Sequence, residues 1–129
     1  MSFTGNGRLN LEVPLGTSPE SGGDDDGFSP MELILVALGG CTAMDVISIL
    51  KKKKQDVIGF AIQVDGERAE THPKVYTHIH IEYIVTGRQI DPEAVERAVD
   101  LSVNKYCPVQ AMLGSSVAID HKITILEAA

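Results

Sequence analysis

Ser29-Pro30-Met31-Glu32-Leu33-Ile34-Leu35-Val36-Ala37-Leu38-Gly39-Gly40-Cys41-Thr42 is the stretch that decides the fold. Ser29 is an N-cap residue, Pro30 suits the first helical position, and Glu32 at the third completes a capping box, so a helix starts here. Its body, Leu33 to Leu50, is apolar around nearly its whole circumference, and polar side chains become dense only at Lys51-Lys52-Lys53-Lys54. Such a helix is expected to be buried on most sides. Gly39 and Gly40 each weaken it by about 1 kcal/mol relative to Ala, which is tolerable where another backbone or a substrate must come close.

Working outward, Arg8 to Val13 alternates polar and apolar with the period of a half-buried strand, and Pro14 is read as its end. Gly16 to Gly27 has nothing apolar to bury and several turn formers, which predicts a mobile loop whose glycines would let it close over a site. Val57 to Val64 and Lys74 to Val85 alternate again, with Gly66 to Pro73 joining them as a hairpin. Asp91-Pro92-Glu93 opens a second helix that runs to about Tyr106, with Val95, Ala98, Val99, Leu101, Ser102 and Tyr106 as its core stripe. Cys107-Pro108 interrupts it, Val109 to Leu113 restarts as a short helix, and Val117 to Leu126 reads as a last strand. Strand, long helix, two strands, helix, short helix, strand is an α+β order, with a mainly antiparallel sheet packed on the long central helix that carries the first Cys.

The 129 residues, with no composition break, predict a single domain over 1–129. A hydrophobic share of 43% against 22% charged is that of a globular protein. The formal charge of −7 repels a phosphate backbone or an anionic bilayer surface, so neither nucleic acid nor a membrane is an expected partner. The longest apolar run, Leu33 to Gly40, falls short of a bilayer span, and Met1-Ser2-Phe3-Thr4-Gly5 lacks a basic region followed by an apolar one. The expected location is cytoplasmic.

Two cysteines in such a chain suggest a redox-active, metal-binding or buried pair rather than a secreted disulfide framework. Cys41 shares a helix face with Ile34, Ala37, Asp45 and Ser48. Its position alone reads as a small buried hydrophobe, and Asp45 one turn on disfavours a thiolate. Cys107 precedes Pro108 at an N-cap, where unpaired N–H groups favour a thiolate; a buried cysteine at a kink is the other reading. The pair together suits peroxide reduction, in which one thiolate attacks the O–O bond and becomes a sulfenic acid, and a second thiol closes a disulfide. Such chemistry requires no metal or organic cofactor.

Ser29-Pro30-Met31-Glu32-Leu33, Ala37-Leu38-Gly39-Gly40-Cys41-Thr42-Ala43 and Lys105-Tyr106-Cys107-Pro108-Val109 together resemble the OsmC/Ohr superfamily, named for osmotically inducible protein C and organic hydroperoxide resistance. Ile84-Val85-Thr86-Gly87-Arg88 and Ala98-Val99-Asp100-Leu101-Ser102 make the chain similar to its YhfA-like branch. The resemblance implies an OsmC-like fold and an intertwined homodimer with two sites near the subunit interface. It implies Cys41 as the peroxidatic thiol and Cys107 as the resolving one, organic hydroperoxides as substrates, and a dithiol, often a protein-bound lipoyl group, as reductant. An Arg and a Glu assist the first Cys in the hydroperoxide-reducing members. Here Met31 stands at the usual Glu position, with Glu32 one step later and so rotated by about 100° around the helix. Glu32 is therefore both a candidate assisting group and a helix cap, and the only N-terminal Arg is Arg8.

Two functions from different classes follow. One is a thiol peroxidase for organic hydroperoxides in oxidative stress defence. The other is a non-peroxidase OsmC-like protein that binds a small apolar ligand at a dimer-interface cleft. Elsewhere, His78, His80 and Glu82 share a strand face, which can place two imidazoles on one metal, but without another local ligand the row reads as a solvated face. Lys51 to Lys54 fit the negative end of a helix, and Asp24-Asp25-Asp26 lacks the spacing of a calcium loop.

Overall fold

The helix that starts at Ser29 is α1, Pro30–Lys52, in a computed structural model that describes all of residues 1–129. Its capping box is closed in both directions: the Ser29 N–H donates to Glu32 Oε1 at 3.1 Å and the Glu32 N–H to Ser29 Oγ at 3.2 Å. At the other end Lys54 takes a left-handed φ of 58°, and the Gln55 N–H returns to the Leu50 carbonyl at 3.0 Å. Residues 1–36 and 37–129 cluster as two separate units.

In the first unit, β1 (Phe3–Asn6) and β2 (Glu12–Leu15) form an antiparallel pair in which Phe3 faces Leu15 and Thr4 faces Pro14. The single strand expected over Arg8–Val13 is thus a hairpin turn and the start of its second strand. Asn10, at φ 59°, turns the chain, a conformation that side-chain alternation does not register. Pro14 lies inside β2 rather than ending it; on the edge away from β1 its carbonyl accepts the Phe28 N–H at 2.9 Å, and that contact asks for no N–H from Pro14. The loop expected to be mobile carries a short 3-10 turn, Pro19–Ser21, and is tied by hydrogen bonds from Gly16 N to Phe28 O and from Phe28 N to Pro14 O. A Cβ at Gly27 would lie within 2.8 Å of the Leu15 backbone, so this glycine serves close chain approach.

In the second unit, β3 (Asp56–Arg68), β4 (Tyr76–Arg88) and β5 (Ala118–Glu127) form a sheet in that order. The β3/β4 pair is antiparallel and the β4/β5 pair parallel. The sheet is therefore mixed, with its longest pairing, β3 to β4, antiparallel as expected and β5 added in parallel. The chain leaves the end of β4 at Arg88, crosses back through two helices and re-enters beside the start of β4, with Ala118 opposite His78, which makes the pairing parallel. Those helices are α2 (Pro92–Leu101) and α3 (Pro108–Gly114), joined by a π-helical turn, Ser102–Tyr106. Asp91 caps α2 by accepting the Glu93 N–H at 3.0 Å.

The core of this unit collects Ile79, Ile81, Tyr83 and Val85 from β4, Val95 and Ala98 from α2, and the row Leu38, Thr42, Val46 and Leu50 from α1. Each fully buried aliphatic side chain stabilises the fold by about 1.5–3 kcal/mol. Gly39 lets α1 approach β3, since a Cβ there would stand 3.2 Å from Val64 Cγ2. The expected all-round burial of α1 does not hold within one chain: Met44 is 73% exposed. Taken whole, α1 is long and apolar enough, at mean hydropathy 2.2, to cross a membrane, as core helices also are. The unbroken run Leu33–Gly40 understates that apolarity because small and polar residues interrupt it without abolishing it. Tyr106, read as core, is likewise half exposed, because the π turn rotates it off the α2 stripe.

Candidate functional site

Cys41 reaches the site from α1, and Cys107 from the break between the π turn and α3. Pro108 excludes Cys107 from helical geometry, and at φ −80°, ψ 106° it is extended and serves as the N-cap of α3. Its N–H returns to the Ser102 carbonyl at 2.9 Å, the five-residue step of a π turn. Its sulfur accepts the Gln110 N–H at 3.3 Å, the place a Ser oxygen takes in an ordinary cap.

The two sulfurs are 2.9 Å apart and both are thiols, with the Cys107 S–H directed at Cys41. They differ in access: Cys107 is 2% exposed, and Cys41 is partly open. Burial, followed by the contact with Cys41, pushes the Cys107 thiol up to about 11, against the smaller opposing pull of the Gln110 and Val109 N–H groups. The expectation that the N-cap would favour a thiolate is overturned, because desolvation outweighs two backbone donors at the start of a short helix.

Asp45 lies one turn beyond Cys41, and one of its oxygens is within 4.8 Å of both sulfurs. The Ser102 hydroxyl donates to Asp45 Oδ2 at 3.0 Å and fixes it there. The same carboxylate forms part of the wall of a cavity of about 360 Å³, with Ile49, Leu101, Tyr106, Lys52 and Lys53. Tyr83 of β4 is fully buried, beside Thr42 and Cys107. Burial drives its hydroxyl up to about 12, and both Thr42 and Cys107 act on it. Tyr83 Oη lies 3.1 Å from His121 Nδ1, and burial holds the His121 imidazole below its usual range. The Gln110 side-chain oxygen is buried without a hydrogen-bond partner.

The groups against the sulfurs are therefore a carboxylate and backbone N–H donors. Glu32 is the reciprocal cap of Ser29 in the first unit, and Arg8 lies in the turn between β1 and β2. Ser102, Gln110 and Tyr83 escaped notice as site residues because only the π turn and the β4 register bring them to the thiols.

A second cluster lies on the outer face of the sheet. His78 and His80 stack with centroids 4.1 Å apart. Their partners are not Glu82, which accepts the Thr124 hydroxyl at 2.6 Å and faces Lys122. They are Asp120 of β5, at 3.0 Å from His78 Nε2 and 2.7 Å from His80 Nδ1, and Glu67 of β3, at 2.9 Å from His80 Nε2. Glu67 and then Asp120 raise the His80 pKa. Alternation alone could not find these partners, since they depend on the register that sets Asp120 opposite His80.

Comparison with known proteins adds the following. The family profile described as OsmC-like protein matches residues 23–122. Protein YhfA of Escherichia coli (strain K12) is 48% identical over 104 residues, which is 81% of this chain and 78% of that protein. The crystal structure of a hypothetical protein from Aquifex aeolicus VF5 superposes with a TM-score of 0.86 at 35% identity, covering 99% of this chain and 89% of that one. An organic hydroperoxide resistance protein OsmC from Legionella pneumophila superposes with a TM-score of 0.68 over 96% of this chain and 95% of that one. At 14% identity, that last likeness is one of fold.

Proposed function

This chain belongs to the OsmC-like protein family, and on that premise we propose that it is a thiol peroxidase that reduces organic hydroperoxides in oxidative stress defence. The observation that carries the reading is the reduced pair itself: a partly open Cys41 with the buried Cys107 sulfur at 2.9 Å. The open thiol is the one a peroxide can reach. Cys41, as thiolate, attacks the distal peroxide oxygen, and the O–O bond breaks. Cys41 becomes a sulfenic acid, and the alkoxide takes a proton and leaves as the alcohol. The Cys107 sulfur then displaces hydroxide from the sulfenic sulfur, its proton completes a water molecule, and a Cys41–Cys107 disulfide remains. A dithiol reductant, small or lipoyl-type, restores both thiols and is itself oxidised to a disulfide. Burial suits Cys107 to the second step, since it stays a protonated thiol until a sulfenic acid forms beside it.

The same proposal makes the protein a cytoplasmic homodimer. The OsmC/Ohr family is generally dimeric, and only 28% of the apolar α1 window is buried within one chain, with Ala37, Gly40, Met44 and Ser48 exposed along one side of it. A second copy would cover that stripe.

Asp45 favours a second reading. A carboxylate beside the sulfurs opposes a thiolate, and the adjoining cavity offers Ile49, Leu101 and Tyr106 to a small apolar ligand. The deciding experiment is consumption of cumene hydroperoxide and of hydrogen peroxide by the dithiol-reduced protein, beside Cys41→Ser and Cys107→Ser. Turnover that disappears with Cys41→Ser, together with over-oxidation of Cys41 in Cys107→Ser, supports the peroxidase. No turnover by the wild type with dithiothreitol or dihydrolipoamide overturns it in favour of the ligand binder.

A further inference from the structure

We propose that Glu67, His78 and His80 form a binding site for one divalent transition-metal ion of the zinc, cobalt or nickel type, with Asp120 holding the imidazoles in place. One oxygen of Glu67 and one ring nitrogen from each histidine lie within 4.8 Å of one another. Two imidazoles and one carboxylate form a donor set that borderline divalent ions prefer, with solvent completing the coordination.

His80 carries the argument. Both of its ring nitrogens face carboxylate oxygens, Nδ1 at 2.7 Å from Asp120 and Nε2 at 2.9 Å from Glu67. A ring with one proton can donate to only one of them. With that proton on Nδ1, the Nε2 lone pair faces the same side as the Glu67 oxygen, and the pair is held either by a second proton on the ring or by a cation bound to both atoms. A metal ion competes with that second proton for Nε2 and the Glu67 oxygen, and Nδ1–H donating to a carboxylate is the usual support behind a metal-bound histidine. Asp120 serves His78 in the same way, through its second oxygen, at 3.0 Å from Nε2.

The surroundings point the same way. On this face of the sheet Asp65 stands opposite His80 on β3, and Glu82 follows on β4, while Lys122 lies nearest to Glu82 at 3.9 Å. Asp65, Glu82, Asp120 and Lys122 line a depression of about 410 Å³ at His80. Carboxylates thus outnumber fixed cations, which attracts a divalent ion. The ligands are exposed, with side-chain accessibilities of 36% for His78, 46% for His80 and 66% for Glu67. Drawing them onto an ion therefore requires only surface rotamers to move. The bound ion would join β3 to β4, and through Asp120 to β5.

The reduced dithiol with Asp45 also offers three metal-binding groups, so zinc chloride is titrated into chelator-stripped wild type and into the Cys41→Ser/Cys107→Ser variant, with a chromophoric competitor reporting affinity. The expected result is one zinc per chain in the cysteine-less variant. His78→Ala and His80→Ala should each weaken that binding by about tenfold or more, and zinc should raise the melting temperature of the parent but not of the histidine variants. Far-UV circular dichroism confirms that each variant is folded. Absence of saturable zinc binding in the folded cysteine-less protein, or affinity unchanged by the two histidine substitutions together, overturns the proposal.

Discussion

Cys107 directs its thiol at Cys41 across 2.9 Å, yet only Cys41 is open to solvent. Reagent access and ionisation therefore act in the same direction. Relative to an ordinary thiol at 9.0, a Cys107 pKa of about 11 leaves about 100-fold less thiolate at neutral pH. Iodoacetamide at pH 8 is expected to label Cys41 first, with Cys107 reacting only as the pH climbs toward 11. Peptide mapping by mass spectrometry over time reads the order; equal labelling rates would contradict the burial argument.

The same shift has a consequence for stability. A thiol whose pKa is higher in the fold than in the unfolded chain favours the folded state while it is protonated. That contribution is intact below about pH 9 and is lost as the pH rises toward about 11. The melting temperature should fall across that interval in the wild type and fall less in Cys107→Ser.

Asp45 stands where an assisting cation would be useful to a peroxidatic thiol. Its charge opposes a second negative charge within 4.8 Å. Asp45→Asn should speed alkylation of Cys41 at fixed pH, and Ser102→Ala, which releases the carboxylate from its 3.0 Å hydrogen bond, should change the rate less. A slower reaction in Asp45→Asn would mean that the carboxylate accepts the thiol proton.

Much of this was legible in the residues. Ser29, Pro30 and Glu32 carry the start of α1, Asp91 and Pro92 that of α2, and Cys107-Pro108 the break before α3, because capping and proline sterics are local. The α+β class and the OsmC-like resemblance followed from the same landmarks. The parallel β4/β5 pairing was not legible, since it depends on which end the chain re-enters the sheet, and with it went Asp120 as the partner of His78 and His80. Arg8 to Val13 misled because the left-handed Asn10 turns the chain inside an alternating pattern. The raised pKa of Cys107 was hidden for another reason: an N-cap is a local feature, whereas burial belongs to the whole fold.

Gly39 faces β3, where an added Cβ would meet Val64 Cγ2 at 3.2 Å and Ile62 Cγ2 at 3.8 Å. Gly39→Val should destabilise the protein by about 1–3 kcal/mol through overpacking. Val64→Ala, harmful in the wild type, should recover part of that loss. A denaturant-unfolding double-mutant cycle measures the coupling, and additive effects would mean that α1 does not rest on β3 at this point.

Met44 tests the dimer. It is 73% exposed on α1, on the side of Ala37, Gly40 and Ser48, the stripe we assign to a second copy. In a two-fold interface the same residue contributes from both subunits, so one substitution introduces two buried charges. Met44→Glu should weaken association by about 100-fold or more, since neither carboxylate would have a partner in an apolar contact. Sedimentation velocity should then show a dimer for the wild type and a monomer for the variant, with the α-helical signal retained. Two monomers would show that this face is solvated, and two dimers that the copies meet elsewhere.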